Sequence, residues 1–282
     1  MPYLIILVLG VIQGACEFLP ISSSGHLVVF FNFFSIYDNT IMLSIILHFA
    51  TLLSLAVVYY KELWLLIKNP LCKTNKLLLA GTIPTIIIVL LFHTLIEQSF
   101  SGNFVIICFL FTAALLVVAE RYYKYKYNNS QKQYGLNNDN SGFLSKTSVY
   151  KLNINYAQAI IIGLSQGVAT LPGISRSGAT IATGLIVGVH KNEVANFSFL
   201  LSIPAIIGSL IYELFKLRNS SIVLDFNFLQ LLTGFIVAFI VGVFCLKLMI
   251  NFVRKQKLYI FSIYLILLCL FLVLNKYIFL WF

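Results

Sequence analysis

Residues Pro172–Thr180 read PGISRSGAT, a polar run broken by glycine and centred on Arg176, set inside sequence apolar enough to lie within a membrane. Nothing else in the second half of the chain looks like it. Counting back 153 positions, however, GLSQGVATLPGISRSG (163–178) falls on GVIQGACEFLPISSSG (10–25). Gly-x-x-Gln-Gly and Ile-Ser-x-Ser-Gly match directly, and Leu-Pro matches with a shift of one residue. The same offset carries Gly81 onto Gly234, so the duplication extends over both halves. A repeat of this length, with Gly, Pro and Ser interrupting each copy, is the pattern by which membrane proteins with discontinuous helices build a site near the bilayer midplane.

The composition agrees with a membrane setting. Hydrophobic residues make up 60% of the 282 and charged residues 10%, and the mean hydropathy is +0.95. These values exclude an ordinary soluble core and define an all-α integral membrane protein. Five cysteines lie far apart, with an odd count and no CxxC, which argues against a disulfide framework or a zinc site. The net charge of +10 does not signal nucleic acid, because the basic residues sit in loops beside apolar spans. The first twenty residues lack the basic start of a secretory signal, the first Lys or Arg being Lys61, and are expected to stay in the mature protein.

Residues 2–36 and 154–189 read as two re-entrant helical hairpins, each of two pieces too short to cross. A piece of about 13 residues rises roughly 20 Å, against a hydrocarbon core of about 30 Å. Three longer spans follow each hairpin, near 41–60, 77–93 and 103–120, then near 194–216, 227–248 and 258–279. The expected architecture is thus six transmembrane helices plus two hairpins in one membrane domain. Repeat one is 1–121, a polar cytoplasmic linker is 122–151, and repeat two is 152–282. An odd number of passages in each copy makes the second enter the membrane upside down, an inverted-topology repeat. Loops placed accordingly put 15 Lys and Arg on the linker side and three, Lys216, Arg218 and Lys276, on the other. That split makes the linker side cytoplasmic and both termini extracytoplasmic.

Loops or span ends absorb every charged residue in this scheme except Glu17 and Arg176, one on each hairpin tip. A charge there costs about 2.5 to 3.5 kcal/mol on insertion scales, so it needs a partner or a purpose. A structural ion pair between the repeats is one reading. The other is an anion site. Arg176 offers a planar fork that suits phosphate oxygens, while Gly173 and Gly178 allow backbone to approach an anion at a helix start. Ser22, Ser23, Ser24 and His26 accompany Glu17, and Ser175, Ser177 and Thr180 accompany Arg176. Ser23, Ser175, His26 and water all stand as nucleophile candidates, with His26 suited to acid–base work and Glu17 to orienting it or holding a divalent cation. His48 reaches the site or packs. His93 and His190 read as interfacial, and Pro84 and Pro204 as kinks.

At QGACEFLPISSSGH (13–26) and PGISRSGAT (172–180) the chain resembles the undecaprenyl-diphosphate phosphatase family of bacteria, the bacitracin-resistance type. The resemblance covers essentially the whole chain. It implies hydrolysis of the terminal phosphate of a C55 polyprenyl diphosphate at the bacterial inner membrane, regenerating the lipid carrier for peptidoglycan precursors. It implies catalytic roles for Glu17, Ser23, His26 and Arg176. Gln13, Ser22, Ser24, Gly173, Ser175, Ser177 and Thr180 are expected beside the substrate phosphates. Some members carry Glu where this chain has Gln13. That departure leaves one carboxylate at the tip, so a Mg²⁺ or Ca²⁺ ion expected at Glu17 needs substrate phosphates to complete its shell. Expected partners are the polyprenyl diphosphate, membrane lipids and, as a homodimer, a second copy, with no nucleic acid. The competing class is a secondary transporter or lipid flippase, since inverted repeats with broken helices serve transport.

Overall fold

The computed structural model describes residues 3–34, 40–100, 104–134, 152–218 and 226–275. Among these, all regular structure is helical. The first half contains α1 (Tyr3–Cys16), α2 (Ser23–Phe33), α3 (Thr40–Val58), α4 (Tyr60–Lys68), α5 (Lys73–Leu91), α6 (His93–Ser99) and α7 (Val105–Tyr134). The second contains α8 (Tyr156–Val168), α9 (Arg176–Ile186), α10 (Lys191–Arg218), α11 (Phe228–Arg254) and α12 (Tyr259–Leu274).

Both expected hairpins are pairs of short helices, α1 with α2 and α8 with α9. The breaks fall where the sequence forbids continuation. Pro20 and Pro172 lack the N–H a helix needs, and each following helix restarts on a serine cap. Ser22 Oγ accepts from Gly25 N at 3.3 Å and Ser175 Oγ from Gly178 N at 3.1 Å, at positions 153 apart. Both tips also carry a left-handed residue, Ser22 at φ 69° and Gly173 at φ 96°. Only the second is a glycine, so the first holds backbone strain of order 1–3 kcal/mol.

The two halves pack by exchange. α1 lies along α11, and α8 lies along α5. Glycines set how close these pairs come: a Cβ on Gly10 would stand 2.9 Å from Gly234 O, and one on Gly163 would stand 2.0 Å from Gly81 O. These two glycine pairs are related by the same offset of 153. In the second pair Thr85 Oγ1 donates to Gly163 O at 2.8 Å, tying the backbones together. α7 packs on α12, where Ser262 Oγ donates to Ala113 O at 2.9 Å. Between the halves Phe18 packs edge-on to Phe199 at 6.1 Å.

Among the described residues five helices, α3, α5, α7, α10 and α11, are long and apolar enough to cross a membrane, and large apolar side chains such as Leu90, Leu91, Phe244 and Leu267 point outward. The chain is an all-helical integral membrane protein. α12, expected to span 258–279, has 16 described residues, fewer than the others, and residues 276–282 lie outside the described part. Two short helices occupy segments expected to be loops. α4 carries Lys61 and Lys68 beside the rings of Tyr60 and Trp64, and α6 carries His93. The segment read as solvated from Tyr122 begins as helix, because α7 runs on to Tyr134. Polar composition marks where apolar burial stops, not where backbone hydrogen bonding does. Residues 135–151 lie outside the described part. Pro84 and Pro204 sit inside α5 and α10.

Candidate active site

The two hairpin tips touch. A Cβ on Gly25 would stand 2.8 Å from both N and Cα of Gly173, so the start of α2 and the tip before α9 are in backbone contact. Gly173 N donates to Ser22 Oγ at 3.1 Å, and Ser177 Oγ donates to Leu19 O at 3.2 Å. From α7, Thr112 closes the second tip by donating to Gly173 O at 3.1 Å and accepting from Ser175 N at 3.2 Å.

Glu17, in the turn after α1, is the centre of the polar cluster. Arg176, the first residue of α9, places NH1 3.2 Å from Glu17 Oε1. Ser23, the first residue of α2, donates to Glu17 Oε2 at 2.6 Å, and Gln13 donates to the same oxygen at 3.0 Å. His48 Nε2, on α3, stands 3.9 Å from it. The two charges isolated by the sequence thus meet across 159 residues. The Glu17 side chain is 4% exposed and that of Arg176 22%, so the guanidinium is the more accessible partner. A hydrogen bond from a hydroxyl to a carboxylate at 2.6 Å is of the charge-assisted, strong kind.

Accessibility divides the remaining candidates. Ser23 and Ser24 are partly exposed, and Ser24 Oγ lies 3.4 Å from Ser22 Oγ. Ser22, Ser175, Ser177 and Thr180 are buried, and their hydroxyls are engaged by caps, tip-to-tip ties or, for Thr180, the Arg176 carbonyl at 2.9 Å. Gly173 is buried in the same contact. His26 turns away from Glu17. Its Nδ1 is 2.8 Å from Ser22 O, and its Nε2 is 2.8 Å from the hydroxyl of Tyr264 on α12, which also stacks on its ring at 5.7 Å. Nδ1–H therefore donates to the carbonyl and Nε2 accepts from the tyrosine. Tyr264 is a site neighbour the sequence did not offer, being one polar atom in the apolar run IYLILL, 238 residues from its partner. Glu213, assigned by its position to a span end, lies a turn inside α10 and accepts from Ser44 Oγ at 3.2 Å.

These residues do not make a resident cation site. No group of three His, Cys, Asp or Glu converges among the described residues, and both oxygens of Glu17 already accept from protein donors, one of them a guanidinium that repels a second cation.

Fold and site together define an integral membrane protein of broken helical hairpins, whose tips join a carboxylate, a serine and an arginine in one hydrogen-bonded cluster. The chain belongs to the family described as Bacitracin resistance protein BacA, whose family model matches residues 6–271. Relatives named undecaprenyl-diphosphatase include that of Carboxydothermus hydrogenoformans, 38% identical over 261 residues, covering 92% of this chain and 91% of the relative. That of Alkaliphilus metalliredigens is 35% identical over 278 residues, covering 92% and 93%. A third, from Christiangramia forsetii, is 36% identical over 270 residues, covering 92% of each.

Proposed function

We propose that the chain hydrolyses undecaprenyl diphosphate to undecaprenyl phosphate and phosphate, recycling the lipid carrier of peptidoglycan synthesis and conferring resistance to bacitracin. The observation that carries the chemistry is Glu17 holding Ser23 on one oxygen and Arg176 on the other. Arg176 and Ser24 are the reachable donors for the terminal phosphate, and the guanidinium fork keeps further N–H groups for it beyond the one on Glu17. Ser23 is the nucleophile this geometry favours. Glu17 Oε2 takes its proton as the Oγ–P bond forms and the bridging P–O bond breaks, releasing undecaprenyl phosphate. Water then attacks the phosphoserine, its proton passing through Glu17 to Ser23 Oγ as that oxygen leaves, and phosphate departs. His26, held by Tyr264 and Ser22 O, anchors α2 so that Ser23 stays aimed at Glu17. A divalent cation, Mg²⁺ or Ca²⁺, would arrive bound to the diphosphate and partly neutralise it.

The exchange of hairpins between halves and the symmetric glycine pairs support an inverted repeat in one membrane domain, 1–121 and 152–282, joined by the segment 122–151. Charge bias supports a linker side facing the cytoplasm at the inner membrane, with both termini outside. The direct test is phosphate release from a C55 polyprenyl diphosphate by the purified protein in detergent. One phosphate per lipid, with the monophosphate as co-product and Ser23→Ala inactive, is expected. Substrate recovered intact would overturn the hydrolase reading.

A further inference from the structure

A line of polar side chains leads away from Glu17 through an otherwise apolar interior. His48 turns Nε2 toward Glu17 Oε2, while its Nδ1 lies 2.9 Å from Ser44 O and 3.1 Å from Ser44 Oγ. The ring proton of the neutral form therefore sits on Nδ1, and Nε2 faces the carboxylate as a bare acceptor. Ser44 Oγ donates in turn to Glu213 Oε1 at 3.2 Å. The other oxygen, Glu213 Oε2, is buried without a hydrogen-bond partner among the described residues. A carboxylate so placed in a spanning helix is costly and calls for a use. Ser44 is one turn from the start of α3 and Glu213 is close to the end of α10, so the line runs from the tips to the face carrying α6.

The offset of 153 that relates the two tips sends Ser44 to Phe197 and His48 to Leu201, and both are fully buried. The serine and histidine of the line are thus particular to the first half.

The reaction supplies the need. Near neutral pH a polyprenyl diphosphate trianion plus water gives two phosphate dianions and one proton, and that proton is left on a carboxylate almost closed to solvent. We propose that His48, Ser44 and Glu213 form a proton line that discharges Glu17 once per turnover to the face carrying α6. The inference rests on the hydrolase reading. The O–H bond of protonated Glu17 breaks as His48 Nε2–H forms. Nδ1–H passes to Ser44 Oγ as the serine's own proton passes to Glu213, which releases it to water at that face. No heavy-atom bond changes and no electron is transferred. The gap from Glu17 to His48 is about 1 Å longer than a working hydrogen bond, and it closes by rotation of the His48 side chain once a protonated Glu17 loosens from Arg176.

The test uses the full-length protein in detergent, assayed for phosphate release from a polyprenyl diphosphate. Glu213→Gln still accepts from Ser44 but takes up no proton, so kcat should fall at least about tenfold with KM unchanged, and Glu213→Asp should retain most of it. Glu213→Ala should fall similarly and recover on adding formate, a small acid that carries the proton in the vacated space; a packing role gives no such recovery. A Glu213→Gln protein with wild-type kcat, or a Glu213→Ala loss that formate leaves unchanged, would overturn the line while the hydrolase reading stands. An inactive wild type would overturn both.

Discussion

Arg176→Lys separates the two jobs the structure gives this residue. The pair with Glu17 joins a carboxylate 4% exposed to a guanidinium 22% exposed, and removing one partner of such a pair costs about 3–5 kcal/mol because a buried charge is left uncompensated. Glu17 keeps Ser23 and Gln13 as donors, so Arg176→Ala should fall at the lower end, about 3 kcal/mol. Lysine retains the charge beside Oε1 and forfeits roughly one hydrogen bond's net worth, about 1 kcal/mol. The phosphoryl group fares worse. An ammonium offers no planar fork for two phosphate oxygens at once, and loss of one positioned donor to developing transition-state charge costs about 10² to 10³ in kcat. Thermal unfolding in detergent and steady-state phosphate release, measured on the same preparation, should therefore show a nearly native Arg176→Lys protein with turnover down about 100-fold. Near wild-type turnover would refute the reasoning and leave Arg176 as a point charge or a packing residue.

Other expectations follow from separate parts of the molecule. Gly163→Ala forces α8 off Gly81 O, now 2.0 Å from the added methyl, and should cost about 1–3 kcal/mol or more; Gly208→Ala, where the methyl meets nothing, should stabilise by up to about 1 kcal/mol, both read as shifts in Tm. At the surface, Tyr212 donates to Glu97 at 2.5 Å and Lys216 lies 3.5 Å away, which hold the Glu97 carboxyl below its ordinary value, the tyrosine hydrogen bond first. A depressed carboxylate stabilises above its unfolded pKa and loses that contribution as pH falls through the folded one. The Tm difference between wild type and Glu97→Gln should thus be steady at neutral pH and vanish in acid, and a difference that grows as pH falls would contradict the sign. If the first hairpin opens outward, Ser24→Cys in intact cells should react with a thiol reagent that does not cross the membrane, while Ser22→Cys, 3% exposed at the parent residue, should resist. Labelling of Ser24→Cys only from the cytoplasmic side would reverse the orientation.

Much of this architecture was legible because the bilayer restricts what a chain can do. Charge inside apolar sequence is rare enough that Glu17 and Arg176 stood out unaided, and an internal repeat announced that their two tips correspond. Pro20, Pro172 and the serine runs marked the breaks that the caps at Ser22 and Ser175 bear out. What stayed hidden depends on long-range geometry. Tyr264 meets His26 across 238 residues, and no local pattern distinguishes it from an interfacial tyrosine. The serines of the two tips looked equivalent in sequence; only burial separates Ser23 and Ser24, partly exposed, from Ser22, Ser175 and Ser177, which are buried where the tips meet. α4 and α6 were missed because helices of nine and seven residues are too short for their mixed polar and apolar residues to stand out from a loop. Glu213 stands near a span end as its position implies, but its contact with Ser44 stayed hidden because a separate helix supplies it.

The central claim is that both hairpins contribute to one reaction centre through Glu17 and Arg176. A double-mutant cycle on kcat/KM for phosphate release, with Glu17→Gln, Arg176→Lys and the pair, tests it most directly. Residues acting as a unit are strongly non-additive, so the double variant should be little worse than the poorer single one. Losses that multiply, each variant acting as if the other residue were untouched, would contradict a shared site and place the two charges in separate roles.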